Sequence, residues 1–242
     1  QKLGFRFWGG DKTWIAPERD WWEKIPPLQL DAGGYDRQIS GNGIKMISPV
    51  CGETGLQIKR TVSISHDGTI TLDQEMTNYG HGTVCKGIWN VTQLLRPCDV
   101  YLPTKKENIR SYHKEDPTLP DHCVVLAQEG DLTCIPCRDS QVFKFGGMID
   151  VGQVLCLCDT PDGQVALLKI FSVDVKGRYL HRSMIEIFNS NIHGYLEVEI
   201  HAPGAKLKSG DFMSHSQEWR LKRYPRTAGP QDIYIDLISR RT

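Results

Sequence analysis

Four side chains in the stretch YLEVEIH have types and spacing that could do chemistry. Period-two alternation places Leu196, Val198 and Ile200 on one face and Tyr195, Glu197, Glu199 and His201 on the other. Same-face neighbours on a strand recur about every 7 Å, so two carboxylates and an imidazole would stand in one line. Such a line suits general acid–base catalysis or hydrogen bonding to sugar hydroxyls. The plainer alternative is a solvated sheet face.

Three other stretches carry chemical anomalies. In ALLKIFSV, Lys169 shares a face with Val165, Leu167 and Phe171. A lysine among apolar neighbours either snorkels to water or meets a partner carboxylate. The sharper expectation is that Lys169 faces Glu197 or Glu199. In GIWNVTQLL, Asn90 and Thr92 share a face with Ile88 and Leu94, while Trp89 and Gln93 take the other. Buried polar groups need partners, so this strand either lines a cavity or holds an internal network. The N-terminal stretch RFWGGDKTWIAPERDWW holds four of the six tryptophans. Its Gly9-Gly10 pair can bend Arg6, Asp11, Lys12 and Trp14 toward a site. The alternative is an aromatic cluster that closes one end of the fold.

The eight cysteines raise a metal question. Cys134, Cys137, Cys156 and Cys158 could supply four thiolates to zinc, but Cys156 and Cys158 lie in a strand-like run rather than a second knuckle. Buried reduced thiols are the preferred reading, and neither a metal site nor a cofactor is expected.

The elements that must position these groups are strands. LQIKRTVSIS and TITLDQEM alternate apolar and polar residues, and similar runs follow to DIYIDLIS near the C-terminus. Turn signals such as His66-Asp67-Gly68 and Pro161-Asp162-Gly163 separate them. No amphipathic helix of twelve residues stands out, so an all-β sandwich or barrel is expected. The stretch RPCDVYLPTKKENIRSYHKEDPTLPD, rich in proline and charge, reads as a long surface excursion overhanging a site. No composition shift divides the 242 residues, so residues 1–242 are expected to form a single domain. The 29 basic and 29 acidic residues cancel, which argues against nucleic acid and anionic membranes as partners. No apolar run is long enough for a membrane span. QKLGFRFWGG reads as the middle of a strand, so an earlier segment is expected before Gln1. Location stays open, with the cytoplasm the first expectation.

The order of RFWGGDKTWIAPE, SPVCGETGLQIKRTVSISHDGTITLDQEMTNYG, GIWNVTQLLRPCDVYLPT and LEVEIHAPGAKLKSGDFMSHSQEWRL resembles a bacterial family of uncharacterised proteins similar to galactose mutarotase. The likeness covers nearly the whole chain, apart from first strands that the family has before GFRFWGG. It implies a galactose-mutarotase-like β-supersandwich whose concave sheet holds a carbohydrate. Aldose 1-epimerases place a base glutamate in an LETQ segment shortly before a terminal L-x-P-G-E. Here LEVE precedes LKSGD, so Glu197 resembles that base. Their acid histidine lies in a TNHTYFNL-like strand, and the counterpart here, WNVTQLL, has none. A replacement acid would be His181, His201 or Lys169. The resemblance implies a sugar-binding protein, with an aldose 1-epimerase or a partner-binding scaffold as alternatives. Glu197, Glu199, Lys169 and His181 are the expected catalytic groups. Arg6, Asp11, Lys12, Trp14, Trp89, Asn90 and Thr92 are the expected ligand-binding ones.

Overall fold

A computed structural model of the chain describes residues 9–21, 25–112, 124–191 and 193–239. Among the described residues, seventeen strands make two antiparallel sheets that pack face to face. The seven-stranded sheet contains β1 (Gly10–Ala16), β6 (Val84–Leu95), β15 (Tyr195–His201), β14 (Ile185–Asn189), β11 (Phe143–Gly147) and β8 (Ile109–Ser111), in that order. Its seventh strand, β16 (Ala205–Leu207), also pairs with β6.

The ten-stranded sheet begins with β2 (Asp36–Ser40), β3 (Gly43–Ile47), β4 (Leu56–Ile64), β5 (Ile70–Asn78) and β17 (Phe212–Tyr224). It continues with β13 (Gly163–Phe171), β12 (Gln153–Thr160), β7 (Cys98–Leu102), β10 (Leu132–Cys137) and β9 (Ala127–Glu129). The two stacked antiparallel sheets meet the expectation of an all-β sandwich.

Alternation decides what each strand buries. Leu196, Val198, Ile200, Ile185, Ile187 and Phe145 of the seven-stranded sheet meet Val100, Val154, Cys156 and Leu167 of the other in one core. Local turn chemistry closes the hairpins. Between β4 and β5 the Asp67 carboxylate accepts hydrogen bonds from the Thr69 N–H (3.2 Å) and hydroxyl (2.9 Å), and Gly68 takes φ +84.

Two expectations fail here. DIYIDLIS is not a strand but most of α2 (Pro230–Ser239). Proline suits a first helical turn because its missing N–H has no partner there anyway. Ile233, Tyr234 and Leu237 then fall on one stripe, buried against Tyr101, Leu155 and Leu168 on the back of the ten-stranded sheet. The second is the opening of the proline-rich stretch from Arg96, whose residues from 113 onward lie outside the described ones. It begins with a buried strand, because Cys98, Val100 and Leu102 alternate inward and β7 pairs on both sides. A short helix, α1 (Leu28–Asp31), caps β1. Among the described residues no helix is long and apolar enough to cross a membrane.

Candidate functional site

The seven-stranded sheet turns its polar face away from the core. Register sets Glu199 of β15 opposite Glu186 of β14 on one side and Val91 of β6 on the other. His201 stands opposite Trp89, and Glu197 opposite Gln93. Lys144 of β11 completes the cluster: its ammonium lies 2.9 Å from Glu186 Oε2 and 3.0 Å from Glu199 Oε2. The Trp89 Nε1–H donates to Glu199 Oε2 at 3.0 Å. The Tyr112 hydroxyl donates to Glu186 Oε1 at 2.6 Å. Gly146 makes that approach possible, since a Cβ there would lie 2.7 Å from the Tyr112 ring and 3.0 Å from Glu186 Cγ.

Two imidazoles close the cluster. His201 Nε2 is 3.4 Å from Glu186 Oε2, and its ring stacks on Trp89 at 5.5 Å. His181 lies over both, with ring centroids 4.5 Å from Trp89 and from His201. Its Nε2 accepts the Glu18 backbone N–H at 3.2 Å, which puts the proton of a neutral ring on Nδ1, 3.6 Å from Glu186 Oε2. The donor atoms of His181, Glu186 and His201 lie within 4.8 Å of one another, a spacing that could hold a metal ion. Two features oppose a metal there: the Lys144 ammonium already sits on Glu186 Oε2, and the His181 Nδ1 lone pair is used by its proton.

Electrostatics drives the two central carboxyls apart. Burial opposes ionisation of Glu186, but Lys144 and the histidine contacts outweigh it and hold the group well below the usual carboxylate range. Glu199 goes the other way. Burial pushes it well above that range; the charges of Glu186 and Glu197 add to this, and Lys144 only partly offsets it. Lys144 is held well above its ordinary value, because the two glutamates overcome its burial. Burial pushes His201 down to about 4, which keeps it neutral near neutral pH.

A cavity of about 250 Å³ is lined by Glu18, Arg19, Tyr112, Lys144, His181 and Glu186, among others. Glu199 lies behind Lys144, buried. Glu197 also lies off this cavity; it accepts a hydrogen bond from Gln93 Nε2 at 2.7 Å, and burial raises its carboxyl.

Of the residues expected at the site, the structure brings together Glu197, Glu199, His181, Trp89, Lys12 and Trp14 on this outer face. It sends Lys169, Asp11, Asn90 and Thr92 to the opposite face of the same pairing, between the sheets. Lys169 does not face Glu197 or Glu199. Its ammonium donates to Asn90 Oδ1 at 2.7 Å and to Thr92, and sits 4.8 Å over the Trp219 ring. Asp11 accepts from Asn90 Nδ2 (2.9 Å) and Thr92 Oγ1 (2.7 Å) and pairs with Arg60. Asp11 and Lys12 point to opposite faces of β1, yet both line a separate cavity of about 400 Å³ with Asp31, Tyr35 and Arg60.

Trp14 and Trp89 do not line the cavity beside Glu186. They pack with Trp21 in a buried cluster, 5.1–5.4 Å between ring centroids, and anchor Asp31 and Glu199 through their N–H groups. Arg6 lies outside the described residues. Alternation also separates the thiols: Cys134 and Cys137, three apart on β10, point to opposite faces and cannot share a zinc ion with Cys156 and Cys158. Sequence reasoning missed Lys144 and Glu186. Each stands alone in an apolar run, between Phe143 and Phe145 or Ile185 and Ile187, the same signal that singled out Lys169.

The chain belongs to the family described as a domain of unknown function, DUF4380, whose model matches residues 7–222. No curated protein matches the sequence. Solved structures share the fold at low identity. A protein from Escherichia coli K12, provisionally assigned as an aldose 1-epimerase, superposes with a TM-score of 0.54 at 13% identity, over 89% of this chain and 84% of its own. A galactose mutarotase-like protein from Lactobacillus casei gives 0.53 at 10%, over 81% and 77%. A galactose mutarotase related enzyme from Lactobacillus acidophilus gives 0.50 at 8%, over 79% and 72%.

Proposed function

We propose that this DUF4380 protein binds a carbohydrate on the outer face of its seven-stranded sheet and interconverts the anomers of an aldose there. One observation carries the reading: two buried carboxyls flank a single ammonium, and their environments drive them to opposite protonation states beside an open cavity. Groups pushed apart in this way are how one site holds an acid and a base at the same pH. Anomer exchange needs a base for the anomeric hydroxyl and a donor for the ring oxygen, both positioned at once. Glu186, ionised and lining the cavity, is the proposed base. Lys144 and Tyr112 are the donors that open onto the same space. Glu199, uncharged, stands behind Lys144 and accepts a hydrogen bond from its ammonium at 3.0 Å. Glu197, the glutamate the sequence suggested, flanks this group and is the weaker candidate for the base because it is off the cavity. The sugar-related folds of the aldose epimerase and mutarotase-like neighbours support the substrate class.

A second reading is sugar binding without turnover. It is favoured by His181, whose Nε2 is taken by the Glu18 N–H and whose Nδ1 faces Glu186, so neither nitrogen is free to meet a ring oxygen. NMR exchange spectroscopy on a panel of aldoses separates the two. Acceleration above buffer that falls by roughly a hundredfold or more in Glu186→Gln, and less in Glu197→Gln, supports the enzyme. Saturable quenching of tryptophan fluorescence by sugar, with no acceleration, supports binding alone. No response to any sugar overturns both.

A further inference from the structure

The thiols come together, but not as the sequence grouped them. Cys98, absent from the zinc reading, is the centre of the group. It opens β7 and has Cys158 of β12 and Cys137 of β10 as its direct cross-strand partners. Cys98, Cys137 and Cys156 are buried in the inter-sheet core, and Cys158 packs against it. The Cys158 thiol donates to Cys98 Sγ, with the two sulfurs 2.7 Å apart.

Register supplies an independent argument. The Asp159 N–H donates to the Pro97 carbonyl at 3.2 Å, which makes 159 and 97 a hydrogen-bonded position of the ladder. Hydrogen-bonded and non-hydrogen-bonded positions alternate in antiparallel sheets. Cys158 and Cys98 therefore occupy a non-hydrogen-bonded position, where facing Cα atoms come to about 4.5 Å. Disulfides span Cα separations of about 4.4–6.8 Å, so the backbone need not move to close one here.

Exposure differs between the two. Cys98 is buried, whereas Cys158 is partly exposed. Burial, reinforced by the neighbouring thiols Cys156 and Cys158, also holds the Cys98 thiol well above its ordinary range. Cys158 is thus the sulfur an oxidant meets first, and Cys98 the one that resolves the product.

We propose that Cys98 and Cys158 form an oxidation site at which a hydroperoxide joins β7 to β12 through a cross-strand disulfide. In the first step the Cys158 thiolate attacks the hydroperoxide, breaking its O–O bond and giving a sulfenic acid and, once protonated, one water or alcohol. In the second the Cys98 sulfur attacks the Cys158 sulfur, the S–O bond breaks, and the hydroxyl leaves with the Cys98 proton as water. With hydrogen peroxide, two thiols and one peroxide become one disulfide and two waters.

The test treats the folded full chain with hydrogen peroxide, alkylates the remaining thiols, and maps peptides without reduction. The expected result is a Cys98–Cys158 linked peptide, an intact mass lower by two hydrogens, and reversal by dithiothreitol. Cys51→Ser should leave the link in place. Cys98→Ser should leave a sulfenic acid on Cys158 that dimedone traps. If that variant fails to fold, Cys158→Ser, at the more exposed sulfur, should abolish every peroxide-induced link to Cys98. The proposal is overturned if wild-type Cys158 stays reduced or runs on to sulfinic acid while circular dichroism shows the fold intact. It is equally overturned if Cys98 links to Cys137 or Cys156 instead.

Discussion

Lys169 is fully buried, and its charge has little nearby to balance it: Asp11 lies 3.9 Å away and already pairs with Arg60. Burial pushes its ammonium down to about 8 from an ordinary 10.5, with Asp11 only partly opposing. The sign follows from proton counting. Between those values the unfolded chain binds a proton that the folded chain does not, so stability rises as pH increases through that window and is lost as pH falls back toward 8. The full effect is on the order of 3 kcal/mol. Lys169→Met removes it but strands Asn90 Oδ1 and Thr92, at a cost of about 1–3 kcal/mol. Urea unfolding of both proteins from pH 7.5 to 10.5 should show the wild type gaining stability relative to the variant. A constant difference across that range would mean that Lys169 does not titrate early.

β11 positions the candidate site through what it lacks as much as through Lys144. A Cβ at Gly146 would press on the Tyr112 ring edge at 2.7 Å and on the Ile185 carbonyl at 3.0 Å. Gly146→Ala should keep the fold, lose about 1–3 kcal/mol to overpacking, and dislodge the Tyr112 hydroxyl from Glu186. Tyr112→Ala removes the closest of the three contacts that a Cβ there would make, leaving Glu186 Cγ and the Ile185 carbonyl. In the double variant the stability losses should therefore sum to less than those of the single variants, by 0.5 kcal/mol or more, as expected for residues in contact. Strict additivity in thermal unfolding would show that Gly146 does not act through Tyr112.

At the scale of the whole molecule, the two sheets share one response to acid. His201 on the seven-stranded sheet and His215 on the ten-stranded sheet are each pushed by burial from 6.5 down to about 4. A depressed histidine gives stability that is complete above its unfolded value and lost as pH falls through the folded one. Each is worth on the order of 3 kcal/mol across that window. His215 lies near the Phe171 ring, at 6.4 Å between centroids, away from the candidate site, so it can be changed without touching Glu186. His215→Phe should lose less stability than wild type between pH 6.5 and 4, as read by chemical denaturation at each pH. Equal losses would put the acid response elsewhere.

Alternation and turn residues alone determined the all-β class, most strand positions, the hairpin at Asp67-Gly68, and the sharing of one face by Glu197, Glu199 and His201. Those are local properties: the pleat has period two, and glycine relieves a positive φ wherever it occurs. Composition could not tell α2 from a strand, because Ile233-Tyr234-Ile235 satisfies both patterns until a surface selects the helical stripe. Only the tertiary structure decided which face of each strand meets the other sheet. Lys144 and Lys169 carry the same local signal, a lysine in an apolar run, yet one reaches the outer face and the other the core. Pairing between strands far apart in sequence set that outcome, by matching apolar faces across the core. The same register placed Glu186 beside Glu199, and Cys98 beside Cys158, which no spacing along the chain could announce.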